Sequence, residues 1–140
     1  MIKSFRGRMA TAETDTIRLS TNKGLIGYTI KKFEAIGQDP SAVSGEAVLK
    51  LYSVKPTTET DTINFEDPTL LGCLFYEGHS ANYYLNSTTV IFDNTTVNQD
   101  IFVTCISTDE VMNYYIELEQ VKLAIDEAAV ATLKDMRGTE

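Results

Sequence analysis

The sequence has no tryptophan, one histidine, two cysteines and three prolines in 140 residues. It also lacks a long apolar run, because the longest strongly apolar stretch, Leu70 to Tyr76, is far shorter than the roughly 20 residues that a membrane-spanning helix needs. Basic residues are scarce, with 12 Lys and Arg against 20 Asp and Glu, and the net charge is −8. We therefore expect neither a membrane-spanning protein nor a general nucleic-acid binder.

Histidine and cysteine are too few and too scattered to form the usual metal or catalytic sets. His79 is the single histidine, and Cys73 and Cys105 each stand alone in an apolar run, as buried free thiols do. Ser80 follows His79 directly, but no nucleophile-elbow motif and no glycine-rich phosphate loop accompanies it. We therefore expect two free core thiols, no cofactor, no metal and no enzymatic activity.

Two groups of carboxylates remain as candidates for chemistry. Glu117 and Glu119 are two residues apart on one strand face, about 7 Å from each other, a spacing within the range that glycosidases use. Because this face alternates with an apolar one, we expect both side chains to point into solvent. Asp61, Glu66 and Asp67 share a polar loop but lack the alternating oxygen ligands of a calcium loop, so we expect ordinary hydration there.

The dominant pattern in the sequence is a short alternation of apolar and polar residues, which predicts β-strands. The alternation is clearest over 112–118 and then resumes out of phase, which predicts a bulge at 119–120. A second run, over 27–36, needs a bulge near 31–32 if its apolar residues are to share one face.

Two further predictions concern how the strands are connected. A strand around 17–19 is followed by turn-forming residues and then by the run at 27–36, which favours a hairpin. Residues 55–69 are rich in turn formers and poor in apolar residues, which predicts a surface loop. We expect Ile63 and Phe65 to point inward from that loop.

The C-terminal segment predicts a helix over 126–137. Acidic residues come first, basic residues come last and a glycine follows, which is the order typical of a helix. Ala129, Leu133 and Met136 fall at i, i+4 and i+7 and form a narrow apolar stripe. Such a stripe is suited to docking on a sheet edge or on a neighbouring subunit.

These elements predict an all-β fold, an antiparallel β-sandwich or jelly-roll of seven or eight strands with a short C-terminal α-helix. Hydrophobic residues make up 43% of the chain and charged residues 23%, as in ordinary globular domains. We expect one domain over residues 1–140, with residues 1–12 as a basic N-terminal arm. The first residues lack the apolar core of a signal peptide, so export by that route is not expected.

Charge is distributed unevenly along the chain. Residues 1–37 hold seven basic and three acidic residues, a net charge of +4, which leaves −12 for residues 38–140. A basic end on an acidic body suits docking against a protein surface of complementary potential. We predict that Lys3, Arg6 and Arg8 face such a partner.

Two pairs of adjacent tyrosines are candidates for stacking on a sugar. The pairs are Tyr83 with Tyr84 and Tyr114 with Tyr115. Neighbouring residues of a strand face opposite ways, so we expect one tyrosine of each pair to enter the core or an interface. A carbohydrate-binding β-sandwich module therefore stays open as an alternative function.

Four segments together carry a resemblance to a known group of proteins. They are TNKGLIGYTIKKF at 21–33, NQDIFVT at 98–104, NYYIELEQVKL at 113–123 and ATLKDMR at 131–137. In this combination the chain resembles small virion structural proteins of tailed phages that infect marine bacteria. The resemblance spans nearly the whole chain and includes no catalytic motif.

The resemblance implies a structural role in the virion, which is assembled in the host cytoplasm. It fits best a capsid decoration or cement protein, which binds the major capsid protein across capsomer junctions and often forms a homotrimer. A tail, neck or fibre-associated component is the alternative within the virion. The residues that we predict at protein interfaces are Lys3, Arg6, Arg8, Tyr83, Tyr84, Leu133 and Met136.

Overall fold

The computed structural model of the chain describes residues 1–79, 84–92 and 96–136. These residues form nine strands and one helix. The strands are β1 (Ile2–Met9), β2 (Glu13–Ile17), β3 (Ile26–Gly37), β4 (Gly45–Tyr52), β5 (Leu70–His79), β6 (Tyr84–Ile91), β7 (Thr96–Val97), β8 (Ile101–Ser107) and β9 (Met112–Lys122), and the helix is α1 (Ile125–Met136).

The strands form two antiparallel sheets. One sheet has the order β1-β9-β3-β7 and the other has the order β2-β8-β4-β5-β6. Strands β1, β2, β3 and β4 pair in turn with β9, β8, β7 and β5, so the chain is one long hairpin wound over both sheets. This is the jelly-roll arrangement, with β6 as an added edge strand, and it confirms the predicted all-β sandwich.

Side chains from both sheets meet in one hydrophobic core. Leu49 and Leu51 of one sheet and Ile116 and Leu118 of the other are fully buried. Burying an aliphatic side chain of this size contributes about 1.5–3 kcal/mol, so the facing sheets account for much of the stability. Each sheet has one apolar face, and this face is removed from water only when the two sheets pack together.

A hydrogen bond between Tyr114 of β9 and Asp15 of β2 links the two sheets at one side. Gly7 lies opposite Tyr114, and a Cβ atom at Gly7 would lie 2.7 Å from the Tyr114 hydroxyl oxygen. Because glycine has no side chain, the tyrosine ring lies over β1 and its hydroxyl donates to Asp15 Oδ2 at 2.9 Å. Asp15 belongs to β2, in the other sheet.

The two bulge predictions have different outcomes. The register between β3 and β9 shifts between Ile30 and Lys32, which confirms the bulge predicted near 31–32. The bulge predicted at 119–120 is wrong, because β9 continues in regular register with β3 through those residues. The irregularity is taken up by β3 alone.

The predicted hairpin of residues 17–19 with 27–36 is also wrong. Strand β2 pairs with β8 in one sheet, whereas β3 pairs with β9 in the other. The carboxylate of Asp100 accepts hydrogen bonds from the backbone N–H groups of Leu19 and Ser20, at 2.8 and 2.9 Å. These bonds hold the chain beside β8 after β2 ends, and it then crosses to the opposite sheet.

The loop at 55–69 contains no strand or helix, as predicted, but the side chains expected to point inward do not. Ile63 and Phe65 are both exposed. Phe65 instead packs edge-on against Phe92, with the ring centroids 4.9 Å apart. The loop is held by Lys50 of β4, whose buried ammonium group donates to the Thr62 carbonyl oxygen at 2.7 Å.

The prediction for the N-terminal segment is wrong, whereas the prediction for the C-terminal helix is confirmed. The basic arm predicted over 1–12 is wrong for residues 2–9, because they form β1 and pair with β9 from Ile2 to Met9. Phe5 and Met9 pack on the core, which makes the segment part of the sheet. The helix predicted over 126–137 is α1, Ile125–Met136, and residue 137 lies outside the described residues.

Candidate interaction surface

Strand β1 presents basic side chains on the outer face of the four-stranded sheet. Phe5 packs against the core and Met9 is buried, so alternation places Arg6 and Arg8 on the opposite, outward face. Both arginines are exposed. Lys3 is exposed at the start of the strand, on the same side as Phe5.

The lysines of β3 on the same sheet are paired with carboxylates of β9. Lys31 Nζ lies 3.3 Å from Glu119 Oε2, and Lys32 Nζ lies 3.7 Å from Glu117 Oε2. Both glutamate side chains are partly exposed to solvent on this outer face, as predicted from the alternation. The two carboxylates therefore neutralise neighbouring lysines, and they do not face each other across a cleft.

The basic side chains of β1 have no such neutralisation. In the part of the chain that the structure describes, no carboxylate oxygen lies within 4.0 Å of Lys3, Arg6 or Arg8. Arg8 Nη1 donates to the neutral amide oxygen of Gln38 at 3.1 Å. Three full positive charges thus stand on one edge strand of a molecule whose net charge is −8.

A groove of about 790 Å³ extends from this surface to β6. Arg6, Tyr115 and Glu34 form one cross-strand row on β1, β9 and β3, and all three line the groove. Leu85 of β6 lines the far side and is 47% exposed. The groove therefore combines one cation, one anion, an aromatic ring and apolar surface.

The composition of this groove suits binding better than acid–base chemistry. Its hydroxyl-bearing residues include Ser87 and Thr89, and it holds the single carboxylate of Glu34. Tyr114 also lines it, but burial and the hydrogen bond to Asp15 raise the pKa of the Tyr114 phenol, which keeps the hydroxyl protonated. Such a groove can accept a peptide or a sugar through hydrogen bonds and stacking.

Helix α1 presents a second apolar surface. Ile125 is 80% exposed and Leu133 is 69% exposed, and together with Ala129 they line a shallow groove of about 690 Å³. The predicted stripe of Ala129 and Leu133 therefore faces outward and does not dock on the sheets. Within residues 125–133 of the helix, Ala128 and Ala131 are the buried residues instead.

One buried side chain that the sequence pattern did not single out connects this helix to the sandwich. Asn98 Nδ2 donates to Thr132 Oγ1 at 2.8 Å, to the Gly24 carbonyl oxygen at 3.0 Å and to the Ala128 carbonyl oxygen at 3.2 Å. An asparagine in a turn-rich segment carries no signal of such a contact, because its partners are 30 to 74 residues away along the chain.

The predicted tyrosine and methionine contacts are only partly described. Tyr83 lies outside the described residues, and so do the side chains of Tyr84 and Met136. In the other pair Tyr114 is buried and Tyr115 is partly exposed, which confirms that one tyrosine of that pair enters the core.

The cysteines, His79 and Asp67 make contacts that are typical of a folded core or of a turn. Cys73 and Cys105 are free and buried, as predicted, and burial raises the pKa of the Cys105 thiol to about 11. His79 Nε2 lies 3.5 Å from a Glu77 oxygen. Asp67 accepts hydrogen bonds from the Thr69 backbone and hydroxyl groups within its own turn.

Among the described residues, no group of three or more His, Cys, Asp and Glu side chains is arranged to hold a metal ion. The described helix is too short and too polar to cross a membrane.

Comparison with known proteins adds no assignment. No protein-family model matches the chain, and no curated protein and no solved structure matches it at a significant level.

Proposed function

We propose that the protein is a structural component of a tailed-phage virion, and specifically a decoration protein that binds the major capsid protein across capsomer junctions. The observation that carries this proposal is the set of exposed basic side chains on β1, Arg6 and Arg8 on the outer face and Lys3 at the start of the strand, which have no carboxylate partner among the described residues. The resemblance to small virion proteins of marine tailed phages supports the same role.

The fold is suited to a structural role of this kind. A sandwich with one continuous core is rigid, so side chains on its strands are held in place before binding. Lys3, Arg6 and Arg8 lie on β1 and would meet an acidic or mixed-charge surface on the partner. Complementary charge sets the orientation and the specificity of such a contact more than its affinity.

Binding to capsids that lack the protein tests the proposal directly. The double variant Arg6→Ser with Arg8→Ser should weaken capsid binding about tenfold, because two exposed ion pairs are each worth up to about 1 kcal/mol. Bound protein is measured by co-sedimentation, and density at capsomer junctions by cryo-electron microscopy. Deleting residues 1–8 is unsuitable, because β1 is a paired strand of the sheet.

The control is Lys31→Ser with Lys32→Ser, which removes the same charge from the same sheet. Both ammonium groups already pair with Glu119 and Glu117, so capsid binding should change far less. An equal loss in both double variants would contradict the assignment of β1 as the contact. Wild-type protein that leaves the capsids bare would contradict the decoration role itself.

The rival functions have their own signatures. A tail or neck component would form rings or tubes and would not bind capsids. A carbohydrate-binding module would bind glycans in the groove beside Tyr115, and Tyr115→Ala would abolish that binding. The trimer implied by the resemblance is tested separately, by light-scattering mass measurement of the free protein.

A further inference from the structure

Strand β6 is an edge strand without the features that usually prevent strand pairing. Within the described residues it is the last strand of the five-stranded sheet, and its register with β5 is regular throughout. Its sequence, YLNSTTVI, contains no charged residue and no proline. Edge strands normally carry charges, prolines or bulges that block pairing with other chains. The edge strand β1, by contrast, carries Lys3, Arg6 and Arg8.

The backbone groups available on this edge follow from one hydrogen bond. The N–H group of Phe92, directly after β6, donates to the Leu71 carbonyl oxygen of β5 at 3.0 Å. Along an antiparallel strand the backbone groups of successive residues point alternately to one neighbour and to the other. Phe92 points toward β5, so the even-numbered residues of β6 also face β5 and the odd-numbered residues face away from it. The residues whose N–H and C=O groups face outward are Leu85, Ser87, Thr89 and Ile91.

We propose that β6 pairs antiparallel with β6 of a second copy of this chain, about a twofold axis at Thr88. This register joins outward-facing backbone groups only, and it pairs all four of these residues. Leu85 lies opposite Ile91 of the second copy, and Ser87 lies opposite its Thr89. The two five-stranded sheets then form one continuous sheet.

The side chains of β6 are compatible with self-pairing. The residue on the twofold axis meets its own copy, so a charge at that position would repel itself, whereas Thr88 meets a neutral threonine. Leu85 is 47% exposed in the single chain and gains an apolar neighbour in Ile91, which already packs against the core. The residues from 85 to 89 are all exposed, so a partner strand has access.

The pairing does not depend on capsid binding, and it predicts the mass of the assembly that the free protein forms. A twofold contact gives an even number of chains: two, or six if a trimer also forms through another surface. Two chains of net charge −8 repel each other, so added salt should strengthen the association.

The experiment is a mass measurement of the full chain by light scattering over a range of concentrations and salt. Thr89→Pro removes an N–H group that faces away from β5, so it should halve the mass while the fold remains intact. Circular dichroism and the urea midpoint check that the fold is kept.

A charge exchange at Thr88 tests the position of the axis. Thr88→Lys and Thr88→Glu should each halve the mass, because like charges then face each other. An equimolar mixture of the two variants should restore the wild-type mass, because the introduced lysine meets the introduced glutamate. The control is Ser4→Lys, which adds the same charge to the exposed edge strand β1 and should leave the mass unchanged.

Three results would overturn the proposal. These are a wild-type mass of one or three chains, Thr88 variants that keep the wild-type mass, and a mixture that stays dissociated after each variant has dissociated alone. None of these results bears on capsid binding by β1, which is measured independently.

Discussion

At the scale of single residues, Tyr114 forms a polar link between the two sheets. Its hydroxyl, on β9, donates to the Asp15 carboxylate on β2, and Gly7 leaves room for the ring. A hydrogen bond to a charged acceptor is stronger than a neutral one. This contact therefore adds a directional constraint to a core that is mainly hydrophobic.

Tyr114→Phe should lower the free energy of unfolding by about 1–2 kcal/mol, because it removes one hydrogen bond to a charged group and leaves the ring in place. Urea unfolding followed by fluorescence or circular dichroism measures the change. Tyr115→Phe is the matched control, since Tyr115 is partly exposed on the outer face, and it should change stability by less than about 0.5 kcal/mol. Equal effects would contradict the role assigned to the link.

Asp100 predicts a pH dependence of stability. Partial desolvation alone would raise the pKa of its carboxyl group, but hydrogen bonds from Ser20 and Leu19 and the charge of Arg18 together lower it below the ordinary value of 3.8. Because the pKa is lower in the folded state, the ionised carboxylate stabilises the fold at pH values above the ordinary pKa of 3.8. This stabilisation is lost as the pH falls through the folded-state pKa.

Asp100→Asn should therefore destabilise the protein by about 1 kcal/mol at pH 7, and by clearly less at pH 3. Urea unfolding of variant and wild type at both pH values gives the two differences. The control is Asp61→Asn, at an exposed loop carboxylate, which should change stability by less than about 0.5 kcal/mol at pH 7. A difference for Asp100→Asn that stays constant with pH would contradict the hydrogen-bonded role of the ionised carboxylate.

At the scale of elements, helix α1 depends on the sandwich for its stability. A helix of 12 residues is marginal in water on its own, and among its residues 125–133 only the small Ala128 and Ala131 are buried. The Asn98 amide contributes hydrogen bonds to the helix at Ala128 and Thr132. Attachment through one buried amide makes the helix sensitive to a single substitution.

Asn98→Ala should release α1 before the sheets unfold. Hydrogen exchange of the amides in residues 126–133 should become much faster, and the overall stability should fall by about 1–3 kcal/mol, because buried partners lose their donor. Val130→Ala is the control, since Val130 is exposed and alanine favours the helix. Unchanged exchange in Asn98→Ala would show that alanine packing alone holds the helix.

The elements also show where sequence patterns were sufficient. The alternation over 112–118 predicts most of strand β9, because one face of this segment is buried and the other is partly solvated. The start of the chain reads as a basic arm because its apolar pattern is weak, and only Phe5 and Met9 of β1 pack on the core. Its place in the sheet depends on pairing with β9, more than 100 residues away.

At the scale of the whole molecule, the buried thiols report on opening of the sandwich. Cys105 is fully buried in the core and burial raises its pKa to about 11, whereas Cys73 lies opposite Lys50, whose ammonium group binds the loop at 55–69. Access to Cys105 requires separation of the sheets. Access to Cys73 requires less of the structure to open.

In the Cys73→Ala variant, Cys105 should react with a thiol reagent at pH 8 only as fast as global unfolding allows. In the Cys105→Ala variant, Cys73 should be labelled faster than global unfolding of that variant allows. The rates are measured against urea concentration, and unfolding curves of the same two variants are the reference. Fast labelling of Cys105 in the absence of urea would contradict a closed core.

Patterns in the sequence predict the class of the fold, the free thiols, the C-terminal helix and the uneven charge. These depend on local alternation, composition and helix-end residues, which act over a few positions. Four features follow only from the folded chain: which strands are neighbours, that β1 is an edge strand, which face of α1 is buried and where the groove lies. Those features depend on pairing between distant segments, and local alternation is the same whichever partner a strand takes.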